Sequence, residues 1–173
     1  APNFISMDPP KHDLQRKAVT GVVAPMNLAK LEPVIRGRAA AILDTLPSQE
    51  VFNWVDHVSI ELTTQMLATI FDFPFEQRRK LTQWSDLATS SVATGGTMPD
   101  EDRREGLMTC LSEFTDLWNE RIHWDPAEHN DLITLMANSP ATANMDPMEY
   151  LGNLILLIVG GNDTTRNSIS GGV

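Results

Sequence analysis

Apolar residues recur along this chain at steps of three and four, and nowhere in an alternating run long enough for a strand. That is the period of helices with one buried face. The spacing predicts a helix over 31–46, where Leu31, Val34, Ile35, Ala39, Ile42, Leu43 and Leu46 share a side, ended by Pro47-Ser48. Another is expected over 58–71, carried by Val58, Ile60, Leu62, Met66, Leu67, Ile70 and Phe71 and broken by Asp72-Phe73-Pro74. Shorter helices are read over 75–88 and 132–136. A long one is read over 103–122, with Leu107, Leu111, Phe114, Leu117 and Trp118 on one face. Near the start, Asp8-Pro9-Pro10 reads as a helix beginning, with Asp8 as cap and proline in the first turn of a helix over 11–19. A turn is expected at Ala24-Pro25. The clearest helix start is Met145-Asp146-Pro147-Met148-Glu149, with Asp146 capping, Pro147 in the first position and Glu149 where a capping box needs it. No internal repeat is visible, and the fold class is mainly α.

That last helix changes character midway. Leu154 to Val159 is apolar with no polar side, which implies burial. Gly160-Gly161-Asn162-Asp163-Thr164-Thr165 follows at once. Glycine inside a helix costs about 1 kcal/mol against alanine, and an unpaired buried polar group costs roughly 1–3 kcal/mol. Two readings follow. Either the glycines end one helix and Asp163 caps the next, or one helix runs through to about residue 170. In the second case the glycines leave room for something large, with a carboxyl and a hydroxyl aimed into that space.

Composition narrows the field. The chain has 173 residues, 42% of them hydrophobic and 21% charged, enough for one domain with a real core. Its net charge of −10, without a basic cluster, argues against nucleic acid and against anionic membrane surfaces. The longest apolar run, Leu154 to Val159, has six residues. A membrane span needs about 20. The single cysteine, Cys110, excludes an internal disulfide and fits a reducing, cytoplasmic setting. No signal peptide is visible at the start. The chain opens on Ala1 rather than methionine and reads as a piece of something longer.

Two residues near the start bear on chemistry. His12 and Arg16 lie four apart, so a helix projects both from one face. A ring N–H and a guanidinium fork together suit a pair of carboxylates, and a plain solvated face is the alternative. His57, His123 and His129 lack metal-binding spacing, so no metal ligand is assigned in the chain. Trp54, Trp84, Trp118 and Trp124 read as packing anchors.

Together, Asp8-Pro9-Pro10-Lys11-His12-Asp13-Leu14-Gln15-Arg16 and Gly160-Gly161-Asn162-Asp163-Thr164-Thr165 resemble two elements of the haem-thiolate monooxygenases, the cytochrome P450 superfamily. The first is similar to that family's C helix and the second to its long I helix, in the family's order. Phe4 to His12, Val58 to Ala68 and Tyr150 to Ser168 further resemble the soluble bacterial subfamily that hydroxylates medium-chain alkanes at the terminal carbon. The resemblance runs essentially end to end. It implies a partial P450 domain over 1–173, about helix C through helix I, with β-sheets and haem-ligand loop absent.

The roles that the resemblance implies fall on particular residues. His12 and Arg16 would bind the haem propionates. Gly160 and Gly161 would let the helix pass close over the haem. Thr164 would hydrogen-bond reduced dioxygen and steer its protonation, and Asp163 would take part in proton delivery. Leu156, Leu157 and Val159 would line the pocket of a small apolar substrate, oriented by shape alone. The loop from Ser90 to Asp100 would belong to the lid over that pocket. Lys11 and Lys17 would help steer an acidic redox partner, a ferredoxin supplied with electrons from NAD(P)H by its reductase. The family's iron-ligand motif, Phe-x-x-Gly-x-x-x-Cys-x-Gly, has no match here, and Cys110 lies in an amphipathic helix instead. The chain alone is therefore expected neither to hold haem stably nor to catalyse. Two rivals remain: a non-catalytic helical ligand binder, and the same enzyme class acting on fatty acids, terpenes or alkenes.

Overall fold

A computed structural model describes residues 1–90 and 96–173. Every regular element among them is helical. Seven α-helices follow in order: α1 (Lys11–Thr20), α2 (Pro25–Asp44), α3 (Glu61–Phe71), α4 (Arg79–Thr89), α5 (Asp100–Arg121), α6 (Leu132–Asn138) and α7 (Pro147–Gly171). A π-helical stretch, Val55–Ile60, leads into α3, and short 3-10 turns lie at Phe4–Ser6, Gly21–Val23 and Phe75–Gln77.

Helix starts follow local chemistry, with three departures from the sequence expectation. Asp146 caps α7 as predicted, its carboxylate accepting from the N–H groups of Met148 and Glu149. Glu149 does not reach back to complete a box. It accepts from Lys11 Nζ and Gln15 Nε2 instead, because α1 packs across the first turns of α7. Asp8 does not cap with its side chain. The prolines at 9 and 10 have no N–H to offer it, so α1 begins at Lys11 and Asp8 supplies only its carbonyl, to His12 N. Helix α2 begins at Pro25, earlier than the apolar spacing indicated, and passes through Pro33. Pro25 at the first position has no bond to lose, and Pro33 is exposed, so the carbonyl it leaves unpaired reaches water.

An aromatic cluster forms the centre of the core. Phe114 of α5 meets Phe71 edge-on at 5.5 Å, stacks on Phe73 at 5.3 Å and touches Trp84 of α4 at 5.8 Å. Asp72, in the left-handed region at φ 48°, turns the chain sharply after α3 and sends Phe73 into this cluster. Leu154 and Ile158 of α7 are fully buried against the same core. Beside it, Glu61 clamps α3 to the start of α4, taking Arg78 Nη2 at 2.6 Å and Arg79 Nη2 at 2.7 Å. Burial works to raise its pKa, but the hydrogen bonds from Gln65, Arg78 and Arg79 prevail and hold it below the usual carboxylate value. Cys110 is buried on α5 as a core thiol, and burial with Glu113 nearby pushes its pKa up, so it is no thiolate.

Candidate functional site along helix α7

Helix α7 runs unbroken for 25 residues, through both glycines. Gly160-Gly161 therefore do not end a helix, and Asp163 does not cap one. The glycines play different parts. A Cβ on Gly160 would meet nothing within 4 Å, whereas one on Gly161 would sit 2.7 Å from Leu67 Cδ2 of α3. Gly160 thus borders open space, and Gly161 serves the close approach of α3 to α7. On the Gly161 side, Leu62, Met66 and Leu67 of α3 and Thr165 line a second apolar cavity of about 280 Å³.

Gly160, Thr164, Asn167 and Ser168 form an exposed stripe at helical spacing. Thr164 Oγ1 donates to the Gly160 carbonyl at 2.7 Å, which fixes the hydroxyl on that stripe with its lone pairs outward. Asp163 points elsewhere. Its Oδ1 accepts from Ser85 Oγ of α4 at 3.0 Å, Asn162 Nδ2 at 3.1 Å and Arg166 Nη2 at 3.1 Å. Arg166 Nη1 also holds Asp86 of α4 at 3.1 Å. Asn162, fully buried, accepts from Thr82 Oγ1 at 3.2 Å and pins α7 to α4. Sequence reasoning missed Ser85, Asp86 and Arg166. The polar residues of α4 at 82, 85 and 86 were the available signal, since they recur at helical spacing opposite Asn162 and Asp163.

A cavity of about 420 Å³ lies beside α7. Leu156 and Val159 line it, with Leu151, Gly152, Ile155 and Gly160 from the same helix. Leu157 does not. It turns toward the core cluster, because two consecutive helix positions point about 100° apart. Helix α5 adds Leu107 and Arg103 to the wall, and α4 adds Ala88 and Thr89. Of the predicted lid loop, residues 91–95 lie outside the described residues.

His12 and Arg16 do share a face of α1. His12 Nδ1 is 2.8 Å from the Phe4 carbonyl, which leaves Nε2 free, and the exposed Arg16 guanidinium has no hydrogen-bond or ion-pair partner among the described residues. The Arg16 guanidinium is a free donor, and His12 Nε2 becomes a second one in the imidazolium form; together they fit a pair of acidic groups. Helix α1 meets α7 through Lys11 and Gln15 at Glu149 and Gln15 at Asn153, about three and two turns before Gly160. No group of three or more His, Cys, Asp or Glu suited to a metal occurs among the described residues. None of the described helices is long and apolar enough to cross a membrane.

No family model matches the chain. Among curated proteins it is 34% identical over 173 residues to linalool 8-monooxygenase of Pseudomonas putida, covering 96% of this chain and 41% of that one. It is 30% identical over 174 residues to steroid C26-monooxygenase of Mycolicibacterium smegmatis, covering 98% and 39%. Among solved structures, cytochrome P450-153 from Novosphingobium aromaticivorans superposes with a TM-score of 0.86 at 45% identity, covering 98% of this chain and 40% of that one. The chain belongs to the cytochrome P450 superfamily. CYP153D17 from Sphingomonas sp. PAMC 26605 gives the same TM-score of 0.86 at 49% identity, covering 98% and 42%. The chain spans about two fifths of the length of the curated relatives it matches. Members of this superfamily are haem-thiolate iron enzymes, and haem is the cofactor of the full-length P450. The residues present fit it: the unpartnered Arg16 guanidinium with the free Nε2 edge of His12 on the same face, and open space with a fixed hydroxyl at Gly160 and Thr164.

Proposed function

We propose that the full-length protein is a haem monooxygenase. It hydroxylates an unactivated terminal C–H bond of a medium-chain alkane or similar apolar substrate. Dioxygen is the oxidant, with electrons from NAD(P)H passed through a ferredoxin reductase and a ferredoxin. The observation that carries this reading is the apolar cavity whose α7 wall ends at Gly160, one turn before the Thr164 hydroxyl. The 45% and 49% identities to two solved P450-153 structures support the P450 class of this reading. Residues 1–173 form part of one P450 domain, and the axial cysteine is assigned outside this chain.

The haem, when bound, supplies the activation of dioxygen. The chain's residues do the rest. The Arg16 guanidinium would hold one propionate by a charge-assisted hydrogen bond, and His12, as imidazolium, would hold the other through Nε2–H. Leu156 and Val159 orient the substrate by shape and keep water from the reacting carbon. The Thr164 hydroxyl gives its own proton to the Gly160 carbonyl, so it presents an oxygen that accepts a hydrogen bond, and relays a proton, in the space beside the helix. Asp163, its Oδ1 held jointly by Ser85, Asn162 and Arg166, supplies the protons relayed there. Lys11 is tied to Glu149, so Lys17 is the freer of the two lysines for an acidic redox partner.

The test begins with the reduced full-length protein and carbon monoxide. A thiolate-type Soret band with conversion of decane to its terminal alcohol is the expected result. Lack of the band would overturn the monooxygenase reading and return the helical ligand binder. The 34% identity to linalool 8-monooxygenase favours a second reading within the class, oxidation of a terpene chain end. Linalool turned over faster than decane would select it.

A further inference from the structure

Asn153 lies fully buried where α1, α7 and the first residues of the chain meet. Its Oδ1 accepts from Phe4 N at 2.8 Å, and a backbone N–H can only donate, so the amide orientation is fixed. Nδ2 then donates to Gln15 Oε1 at 3.1 Å and to Met145 Sδ at 3.0 Å. Gln15 in turn gives Nε2–H to the Glu149 carboxylate, which also takes Lys11 Nζ at 2.8 Å. Donor meets acceptor at each step, and the Glu149 carboxylate closes the series. Position 152 adds a second hold on the same segment. A Cβ on Gly152 would run into the Pro2 carbonyl, so glycine there lets Ala1 and Pro2 lie against α7 just before Phe4.

The other end of Phe4 reaches His12. The Phe4 carbonyl lies 2.8 Å from His12 Nδ1, and a carbonyl only accepts, so Nδ1 carries a proton. The Phe4 ring adds a T-shaped contact to the imidazole at 6.2 Å. The hydrogen bond fixes the tautomer and the ring orientation together, and leaves Nε2 for another partner. Helical period keeps the two tasks of α1 apart. Lys11 and Gln15, four residues apart, meet α7, while His12 and Arg16, one position on, are turned about 100° from them. We propose that Asn153 is a positioning residue for haem retention: by holding Phe4, it fixes His12 with Nδ1 protonated and Nε2 left for a propionate. The neutral ring of this tautomer offers a lone pair at Nε2, so the contact is complete in the imidazolium form. The orientation of His12 stands on the geometry of Phe4 and Asn153 alone. Its effect on haem rests on the propionate role given to His12 above.

The experiment joins a double-mutant cycle to a spectroscopic signature, both on the full-length holoprotein. Haem loss is read by transfer to an apo acceptor. Asn153→Leu should speed it about tenfold, the scale of a charge-assisted hydrogen bond. In a His12→Phe background the same substitution should change the rate by less than about twofold, because the residue it acts through is gone. Equal acceleration in both backgrounds would overturn the proposal, since a general loosening of α7 does not need His12. The signature is the Nδ1–H resonance of His12 in the reduced carbonyl form carrying nitrogen-labelled histidine. It should be protected from exchange in wild type and in Asn153→Asp, which keeps an oxygen facing the Phe4 N–H, and lost in Asn153→Leu. Gly152→Ala disturbs the same segment without removing a buried polar group, and alanine favours the helix, so its expected loss of the resonance is not one of unfolding. A resonance still protected in Asn153→Leu would overturn the proposal. So, should that variant fail to fold, would one protected in Gly152→Ala. If His12→Phe keeps haem as firmly as wild type, the propionate role fails, while loss of the resonance in Asn153→Leu still upholds the orientation.

Discussion

The two halves of α7 are built to opposite rules. From Tyr150 to Leu154 every residue is buried, and Ile158 follows one turn later. From Gly160 onward the only buried residue is Asn162. In the first half, side chains are held by their neighbours: Asn153 takes Phe4 N at 2.8 Å and gives to Gln15, and Tyr150 donates to the Phe114 carbonyl at 3.0 Å. In the second half, Thr164 and Ser168 bond back to their own helix, at the carbonyls of Gly160 and Thr164. In that half only one side is presented, the stripe of Gly160, Thr164 and Ser168, while Asn162, Asp163 and Arg166 hold the other side to α4. A site needs groups that are oriented yet unspent, and a rigid helix held along one side supplies them.

Substitutions can test this division. The largest effect is expected in the anchored half. Leu154→Ala, at a position with no exposure, should lower stability by about 2–5 kcal/mol in urea melts of the full-length protein. Next comes the clamp that holds α3 and α4 together beside α7. Glu61→Gln should cost roughly 1–3 kcal/mol at neutral pH. Because the folded-state pKa of Glu61 lies below its usual 4.5, this contribution is present above that value and lost as pH falls through it toward the folded value. Melts at descending pH should show the wild-type advantage shrink, and an advantage that persists into strong acid would contradict the ion-pair account.

Smaller effects on stability and larger ones on chemistry are expected of presented groups. Arg16→Leu should speed haem loss about tenfold or more, read by transfer to an apo acceptor, with melting little changed. Thr164→Ala should alter stability by no more than about 0.5 kcal/mol. It should also lower the coupling of oxygen consumption to product by about tenfold, with peroxide released and haem retained. Unchanged coupling would remove Thr164 from the proton path. The smallest contrast is between neighbours. Gly160→Ala has open space and should stabilise the helix by up to about 1 kcal/mol, whereas Gly161→Ala must displace Leu67 and should give no gain. Equal responses at 160 and 161 would undo the two-sided reading of the glycine pair.

Much of the fold is legible in the chain because helix signals are local. The cap at Asp146, the proline beside it and the three-and-four spacing lie within a few residues of what they determine. That is why α3, α5 and α7 were placed closely from sequence, and why the pairing of His12 with Arg16 on one face needed only a period. Errors fell where a distant segment decides. Glu149 has the sequence position of a capping-box residue, yet Lys11 and Gln15, brought across by α1, claim its carboxylate. Ala24-Pro25 reads as a turn, yet Pro25 takes the first position of α2, where its missing N–H costs no bond.

What the sequence alone determined is the helical class and the resemblance to the family, since period and motif are properties of neighbours along the chain. Tertiary structure alone decided which way the side chains face. It separated Gly160 from Gly161 and Leu156 from Leu157, turned Asp163 toward Ser85 and Arg166, and placed Arg103 in the cavity wall. Each of these depends on which helix packs against α7 on which side, and that packing is settled by the burial of the whole core at once.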